Sequence, residues 1–319
     1  MGKGNVFVSI RCIAYNQEPY IRQCLDGFVM QNTDFRFEAI VHDDASTDGT
    51  AAIIREYAEK YPDIIKPIFE TENQFSKKDG SLGRIMSEAC KGKYVAFCEG
   101  DDYWTDPLKL QKQVDFLEGH EEYSMCCTGF TQTFGGNESE KSPMVFDLDD
   151  ITIEHLIKGQ WIGTATVVYR KELLDDYKPP FSHLPFGDVP MWFHLALKGK
   201  IKYLKDITAN YRRLNESACH FSDKKKEYLF GLDVMRVREY YAKLADKINV
   251  AQPMFSKNSH YYLEQCYQNQ WFDFPMDTLW HFVKEYGHPS GYDKLKYWGM
   301  RSKLRHGISN VILAMIKKI

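Results

Sequence analysis

Apolar and polar positions alternate along the first hundred residues in a repeating strand–helix rhythm. Val6–Ala14 (VFVSIRCIA) has the β-branched, apolar content of a buried strand, and Tyr15-Asn16 marks the turn out of it. Glu18–Met30 follows with Ile21, Leu25, Phe28 and Val29 at helical spacing. Phe37–His42 reads as a second strand, broken by Asp43–Thr50 (DDASTDGT), with Ser46, Thr47 and Asp48 as N-caps for a helix over Thr50–Tyr61. Ile64–Phe69 predicts a third strand, Glu70–Gly80 a polar loop, and Leu82–Cys90 a helix that leads into a short buried strand at Tyr94–Cys98. Alternation at this pitch predicts a parallel sheet, with ligands at the carboxyl ends of its strands.

Beyond Trp104 the rhythm loosens. Pro107–Leu117 reads as a helix, Tyr123–Thr128 as a strand, Gly135–Asp150 as a polar loop or lid, and Trp161–Arg170 as a β-rich run. Gly187-Asp188 opens an apolar helix within Pro185–Gly199, and Ile201–Leu204 and Ile207–Arg212 read as short strands. From Asp223 strand signals vanish. Tyr228–Leu244, Ser256–Gln270, Pro275–Tyr286 and Ser290–Arg305 are aromatic-rich helical stretches, and Gly307–Ile319 is an apolar helix with basic ends. The expected organisation is one α/β domain over 1–222, with halves at about 1–106 and 107–222, and a helical extension over 223–319.

Bulk properties narrow the function classes. With 41 basic and 44 acidic residues the chain is slightly acidic, which disfavours a nucleic-acid partner. Eight scattered cysteines (Cys12, Cys24, Cys90, Cys98, Cys126, Cys127, Cys219, Cys266) form no CxxC pair, so reduced core thiols are expected rather than zinc. Met1 leads into the first strand without a charged-then-apolar leader. No stretch approaches the ~18 apolar residues of a span. A cytoplasmic protein is expected.

The chemistry concentrates at three strand ends: Tyr15–Glu18, Asp43–Asp48 and Glu99–Asp102. Any one is an ordinary Asx-rich turn by itself. Three on one sheet edge point to a ligand site. Glu99, Asp101 and Asp102, packed around Gly100 after a buried strand, would repel one another unless a cation sits among them. All-oxygen donors suit Mg²⁺ or Mn²⁺ shared with phosphate. The plain alternative is a solvated acidic turn.

Four segments in order, VSIRCIAYNQE, VHDDASTDGT, CEGDDYW and FGDVPMW, give the chain its resemblance to the family 2 inverting glycosyltransferases of the GT-A fold, bacterial members of which build surface polysaccharides. The match runs from Val8 to about Arg213, roughly two thirds of the chain; the helical extension carries no family signature. The resemblance implies a Rossmann-like mixed sheet. It also implies a nucleotide-sugar site at Ile13, Tyr15, Glu18, Asp43 and Asp44, with Asp44 accepting from uracil N3–H. Capping is the competing role for Asp43, as it is for Thr47, Asp48 and Thr50. The family's DXD motif stands here as Glu99-Gly100-Asp101, with Asp101 and Asp102 as metal ligands for Mn²⁺ or Mg²⁺. Glu where Asp is usual leaves the part played by Glu99 open. Arg84 matches an arginine that reaches the diphosphate, or is a solvated helix charge.

Asp188 matches the family's catalytic base, although Gly187 stands where a Glu usually precedes it; its alternative role is a helix cap. Trp104 and Trp161 would stack on sugar faces or lie in the core. Thr164, Thr166 and Arg212–His220 fall where the family closes over donor or acceptor, with Arg212 or His220 near the diphosphate; a polar loop is the other reading. The implied activity moves a sugar, UDP-linked by first preference, to a hydroxyl of a glycan or lipid-linked glycan. The basic-ended tail would lie on an anionic membrane surface, pack on its own domain, or meet a second subunit.

Two other enzyme classes lack their signatures in this chain. A sugar-phosphate nucleotidyltransferase wants a Gly-rich loop after the first strand, and RCIAYNQE has no glycine. A haloacid-type phosphohydrolase wants an Asp there, and Ala14-Tyr15-Asn16 supplies none. A degenerate nucleotide- or glycan-binding scaffold is the non-enzyme reading, and Asp44, Asp101 and Asp188 together argue against it.

Overall fold

The computed structural model describes residues 5–135, 140–214 and 223–317. Its first part runs β1 (Val8–Ala14), α1 (Ile21–Val29), β2 (Phe37–Asp43), α2 (Thr50–Lys60), β3 (Ile65–Phe69), α3 (Gln74–Lys77), α4 (Ser81–Ala89) and β4 (Tyr94–Phe97). β1 pairs in parallel with β2 on one side and β4 on the other, and β3 extends the sheet beyond β2. Every residue of β2 and β4 is buried, as strands covered on both faces must be. Helix α1 buries Ile21, Leu25 and Phe28 against this sheet, and Val8, Ile10 and Ala39 belong to the same apolar core.

The chain continues through β5 (Tyr103–Trp104), α5 (Lys109–Gly119), β6 (Tyr123–Phe134), β7 (Lys141–Met144), β8 (Asp150–Ile151), α6 (Ile153–Lys158), β9 (Val168–Arg170), α7 (Asp188–Lys198) and β10 (Lys200–Arg213). Strand order is β3-β2-β1-β4-β9-β6-β10-β5, with β7 beside β6 and β8 beside β10. β9 runs antiparallel to both β4 and β6, while β6 and β10 are parallel. The sheet is therefore mixed, as the family resemblance implies and the strand–helix alternation alone does not. The antiparallel members β5 and β9 are two and three residues long, too short to carry a periodic signal.

Several boundaries differ from the sequence expectation. Trp161–Arg170 is not a continuous strand: a 3₁₀ turn at Thr164–Thr166 precedes the three residues of β9. The Thr166 hydroxyl donates to the Gly163 carbonyl at 2.6 Å, closing that turn. The polar loop after β3 contains α3, and the loop after β6 contains β7 and β8. Two short strands expected after α7 are one, β10, kept in register with β6 through shifts between Leu204 and Ile207 and between Ile207 and Ala209.

The last part is helical: α8 (Lys224–Leu244), α9 (Ile248–Gln268), α10 (Met276–Tyr286), α11 (Gly291–Gly299) and α12 (Lys303–Ile316). A single helix over Ser290–Arg305 is not observed. The chain breaks after Gly299, and Ser302 caps α12 by accepting from the Arg305 N–H. Helix α9 begins before the expected Ser256 and runs through Pro253.

Two compact units result. One holds the sheet, up to Ile153 and again from Gln160; the other takes Glu154–Gly159 and the helices from α8 onward. The helical unit has its own core, with Phe255, Leu263, Leu279 and Phe282 fully buried. All cysteines among the described residues are free and buried; Cys219 lies outside them. No helix among the described residues is long and apolar enough to cross a membrane.

Candidate active site

The turns that leave β1 and β2 are laced together. Asn16 adopts φ +51°, a left-handed conformation that asparagine tolerates, and its side-chain oxygen accepts from the Thr47 N–H at 2.8 Å. The Gln17 N–H donates to the Thr50 hydroxyl, and the Glu18 N–H to Asp48. The Glu18 carboxylate accepts from the Gly49 N–H at 2.8 Å. Glu18 and Asp48 thus staple the start of α2, and Tyr15 stands 46 % exposed at the mouth beside them.

The two carboxylates of the Asp pair differ. Both oxygens of Asp44 accept from backbone, the Gln74 N–H at 2.7 Å and the Phe75 N–H at 3.0 Å. Asp44 therefore anchors the first turn of α3, although each oxygen keeps a further lone pair. Asp43 accepts from the Ser46 N–H through one oxygen, and the other is buried with no hydrogen-bond partner among the described residues. A buried acceptor left open in this way is costly unless a ligand donor meets it.

At the end of β4 the Gly100 N–H donates to the Ile13 carbonyl, drawing the acidic loop against the β1 turn. A Cβ at Gly100 would run into the Gln17 side-chain oxygen, which must turn aside, and sit 3.0 Å from Ala14 and Ile21, so glycine eases the close approach of the two turns. Burial pushes the Glu99 carboxyl up to about 7, resisted by Arg11 and reinforced by the negative charge of Asp101 and Asp188, although 34 % of the side chain still meets solvent. Arg11 lies 3.6 Å from Glu99 and over the Phe97 ring. Burial also raises Asp101, and it lifts Asp102 well above the usual range together with repulsion from Asp101. Desolvated, mutually repelling oxygen donors are the chemistry a hard divalent cation satisfies. Among the described residues no three His, Cys, Asp or Glu side chains enclose an ion.

Asp188 opens α7 over the same edge. Trp192, one turn further along, packs edge-on against Phe97 at the end of β4, with ring centroids 5.7 Å apart. One Asp188 oxygen accepts from the Val189 N–H, and the other from the Thr164 hydroxyl, each at 2.8 Å. The 3₁₀ turn bearing Thr164 is held from behind. Trp104 Nε1 donates to the Ala165 carbonyl at 2.8 Å, and Gln113 Nε2 to the Thr166 carbonyl at 2.8 Å. Gln113 in turn accepts from the buried Lys109 ammonium, which lies over the Trp104 ring. Burial brings the Lys109 amine down to about 7.

The structure brings together Ile13, Asp43, Asp44, Glu99, Gly100, Asp101, Asp102 and Asp188, with Thr164 behind Asp188. It corrects other expectations. Trp104 is 2 % exposed and engaged with Ala165, Phe28 and Lys109, so it cannot lie against a sugar. Arg212 is also 2 % exposed; its guanidinium donates to the Asp101 carbonyl and to Gln23 between the rings of Tyr20 and Tyr103, and its N–H donates to Asp102. It secures the acidic loop. Thr166 is turned into the fold. Arg84 stays exposed on α4 with its guanidinium on the Asp79 carbonyl, so both roles expected of it stand. Trp161 remains 38 % exposed, edge-on to Phe130 and Tyr211. His220 lies outside the described residues.

Residues that sequence reasoning missed are Arg11, Gln17, Lys109 and Gln113. Arg11 had a signal, a lone charge inside the buried strand VSIRCIA. Lys109 and Gln113 sit one helical turn apart on a helix that reads as ordinarily amphipathic, and nothing in its pattern marks them as buried.

The family model for Glycosyl transferase family 2 matches residues 9–177, just over half of the chain. An uncharacterized protein of Mycobacterium tuberculosis is 39 % identical over 227 residues, 69 % of this chain; the chain spans 63 % of that relative's length. The Escherichia coli UDP-Glc:alpha-D-GlcNAc-diphosphoundecaprenol beta-1,3-glucosyltransferase WfgD is 25 % identical over 72 % of this chain and 85 % of its own. Among solved structures, Staphylococcus aureus TarS 1–349 in complex with UDP-GlcNAc superposes with a TM-score of 0.66, covering 95 % of this chain and 92 % of TarS at 19 % identity, which shows a shared fold.

Proposed function

The chain belongs to glycosyl transferase family 2, and from that premise we propose that it is a glycosyltransferase moving a sugar from a nucleotide-sugar, UDP-linked by first preference, to a hydroxyl of a glycan or lipid-linked glycan, with inversion, in surface-polysaccharide synthesis. The observation that carries the proposal is the meeting of two groups at one sheet edge. The acidic loop follows β4, and Asp188 opens the helix whose Trp192 packs on Phe97 at the end of that same strand, with ring centroids 5.7 Å apart. WfgD, by its printed name, uses UDP-Glc and a diphosphoundecaprenol-linked sugar, which supports the donor and acceptor classes.

In this reading Tyr15 offers its exposed ring to the base, while Asp43 and Asp44 take its donors and those of the ribose. Arg84, Glu99 and Gly100 belong to the diphosphate-sugar half, and Trp161 to the acceptor. Asp101 and Asp102 would hold Mn²⁺ or Mg²⁺, with Glu99 beside them. Bound there, the cation would neutralise charge on the departing nucleoside diphosphate. Asp188 takes the proton from the acceptor hydroxyl as its oxygen attacks the anomeric carbon from the face opposite the leaving group. Thr164 and the Val189 N–H fix the rotamer of Asp188 for that transfer.

The test is the Asp188→Asn variant, assayed for UDP-sugar turnover with glycan acceptors and for UDP binding. General-base loss predicts a fall of about 10²–10⁴-fold in kcat with UDP affinity retained. Unchanged turnover would remove Asp188 from the chemistry, and loss of UDP binding along with turnover would assign it to the donor site.

A further inference from the structure

Helix α12 turns two polar side chains inward and most of its aliphatic ones outward. The side chains it buries are His306, Ser309 and Leu313, on one narrow face. The Ser309 hydroxyl pairs with Tyr267, and the His306 ring lies 4.4 Å from the ring of Tyr267. The opposite face carries Leu304 (77 % exposed), Ile308 (45 %), Val311 (55 %), Ile312 (37 %) and Met315 (61 %). Their spacing of i, i+4, i+7, i+8, i+11 makes one continuous aliphatic stripe. Single exposed aliphatics are ordinary, but a row of five along one helix, outward while polar groups face in, marks a surface that something covers.

Charge identifies the cover. Residues 303–317 contain no Asp or Glu, and Lys303, Arg305 and Lys317 stand at the two ends of the stripe. A chain with three more acidic than basic residues thus keeps this helix wholly free of negative charge. A second copy would be a poor occupant: helices paired face to face in either direction set cations at the ends of one stripe against cations of the other. An anionic bilayer matches both features, accepting the aliphatics at the acyl boundary and the cations at its phosphates.

We propose that α12 is an interfacial helix that docks the protein on an anionic lipid surface, lying in its plane. The inference is independent of the sugar-transfer reading.

The experiment is co-sedimentation of the full chain with extruded vesicles, one set of phosphatidylcholine and one with phosphatidylglycerol added. Two double variants accompany it: Leu304→Gln with Met315→Gln on the stripe, and Lys303→Glu with Lys317→Glu at its ends. All four positions are exposed, and unchanged unfolding temperatures establish that the fold is kept. The expected result is binding to the anionic vesicles at least about ten-fold tighter than to the neutral ones, weakened about ten-fold by either double variant. Absence of binding to anionic vesicles, or binding unaltered by the stripe variant, overturns the proposal. So does a dimer in light scattering that the stripe variant turns into a monomer, since the stripe is then a contact between copies.

Discussion

Thr164 and Gly100 each have one task that a single substitution isolates. The Thr164 hydroxyl holds one oxygen of Asp188 at 2.8 Å. Thr164→Val keeps the shape and removes that bond, so kcat is expected to fall about ten-fold, the worth of roughly one hydrogen bond, with UDP affinity unchanged. Steady-state kinetics beside a UDP titration checks this; a change in UDP affinity alone would place Thr164 on the donor instead. A methyl group at Gly100 must displace the end of the Gln17 side chain and press on Ala14 and Ile21. Gly100→Ala is expected to cost about 1–3 kcal/mol, read as an earlier urea midpoint, and to weaken donor binding because the acidic loop must move. At this scale the sequence announced residue types more readily than their surroundings. The carboxylates stood out at the strand ends, whereas Trp104 was open between sugar and core and Arg212 between diphosphate and polar loop, and both are buried supports. Whether a long or aromatic side chain faces ligand or core depends on neighbours far along the chain, such as Ala165 against Trp104 and Asp102 against Arg212.

Among the elements, the strands and the longer helices before β4 were legible because each carries a clean period and a turn signal, whereas α3, four residues inside a polar loop, carries neither. The 3₁₀ turn behind Asp188 was not. Its two threonines sit in the β-rich run Trp161–Arg170, and contacts from Trp104 and Gln113 override that propensity. The turn is a plinth: two side-chain donors from other elements hold its carbonyls, and Thr164 rises from it toward α7. Trp104→Phe keeps the aromatic volume and leaves the Ala165 carbonyl without its indole donor. The expected outcome is a loss of about 1–2 kcal/mol in stability with kcat reduced and donor affinity kept. A variant with full kcat would show that the plinth does not transmit to Asp188. The helical unit was read as helices but with misplaced ends, because Ser302 restarts the chain as α12 where periodicity alone continues it.

Over the whole molecule, buried ionisable groups give stability a pH dependence. Lys109, brought down to about 7 by burial, is neutral in the folded chain between pH 7 and 10 while the unfolded chain still holds its proton. Its contribution is therefore complete only above the ordinary lysine range near 10.5 and is lost as pH falls through about 7. Lys109→Met is expected to flatten the rise in urea midpoint between pH 7 and 10. A rise of equal slope in both proteins would contradict the burial. Glu99 acts in the opposite sense: with its carboxyl raised to about 7, its contribution is present below about 4.5 and lost as pH rises through 7. A cation among these carboxylates would relieve that loss, and this is where fold, site and function meet.

The most direct test of the account is a thermal-shift titration of the full chain with UDP, with and without Mn²⁺, on the natural protein and on Asp101→Asn. If the acidic loop and the Asp43–Asp44 pair form a metal-assisted nucleotide site, UDP at a hundred times its dissociation constant stabilises the natural protein by about 2.7 kcal/mol in the presence of Mn²⁺. The account predicts that the shift shrinks sharply without the metal and disappears in Asp101→Asn. An equal shift with and without Mn²⁺ that survives in Asp101→Asn would contradict the metal-assisted site, and no shift with UDP under either condition would contradict UDP as the donor's nucleotide.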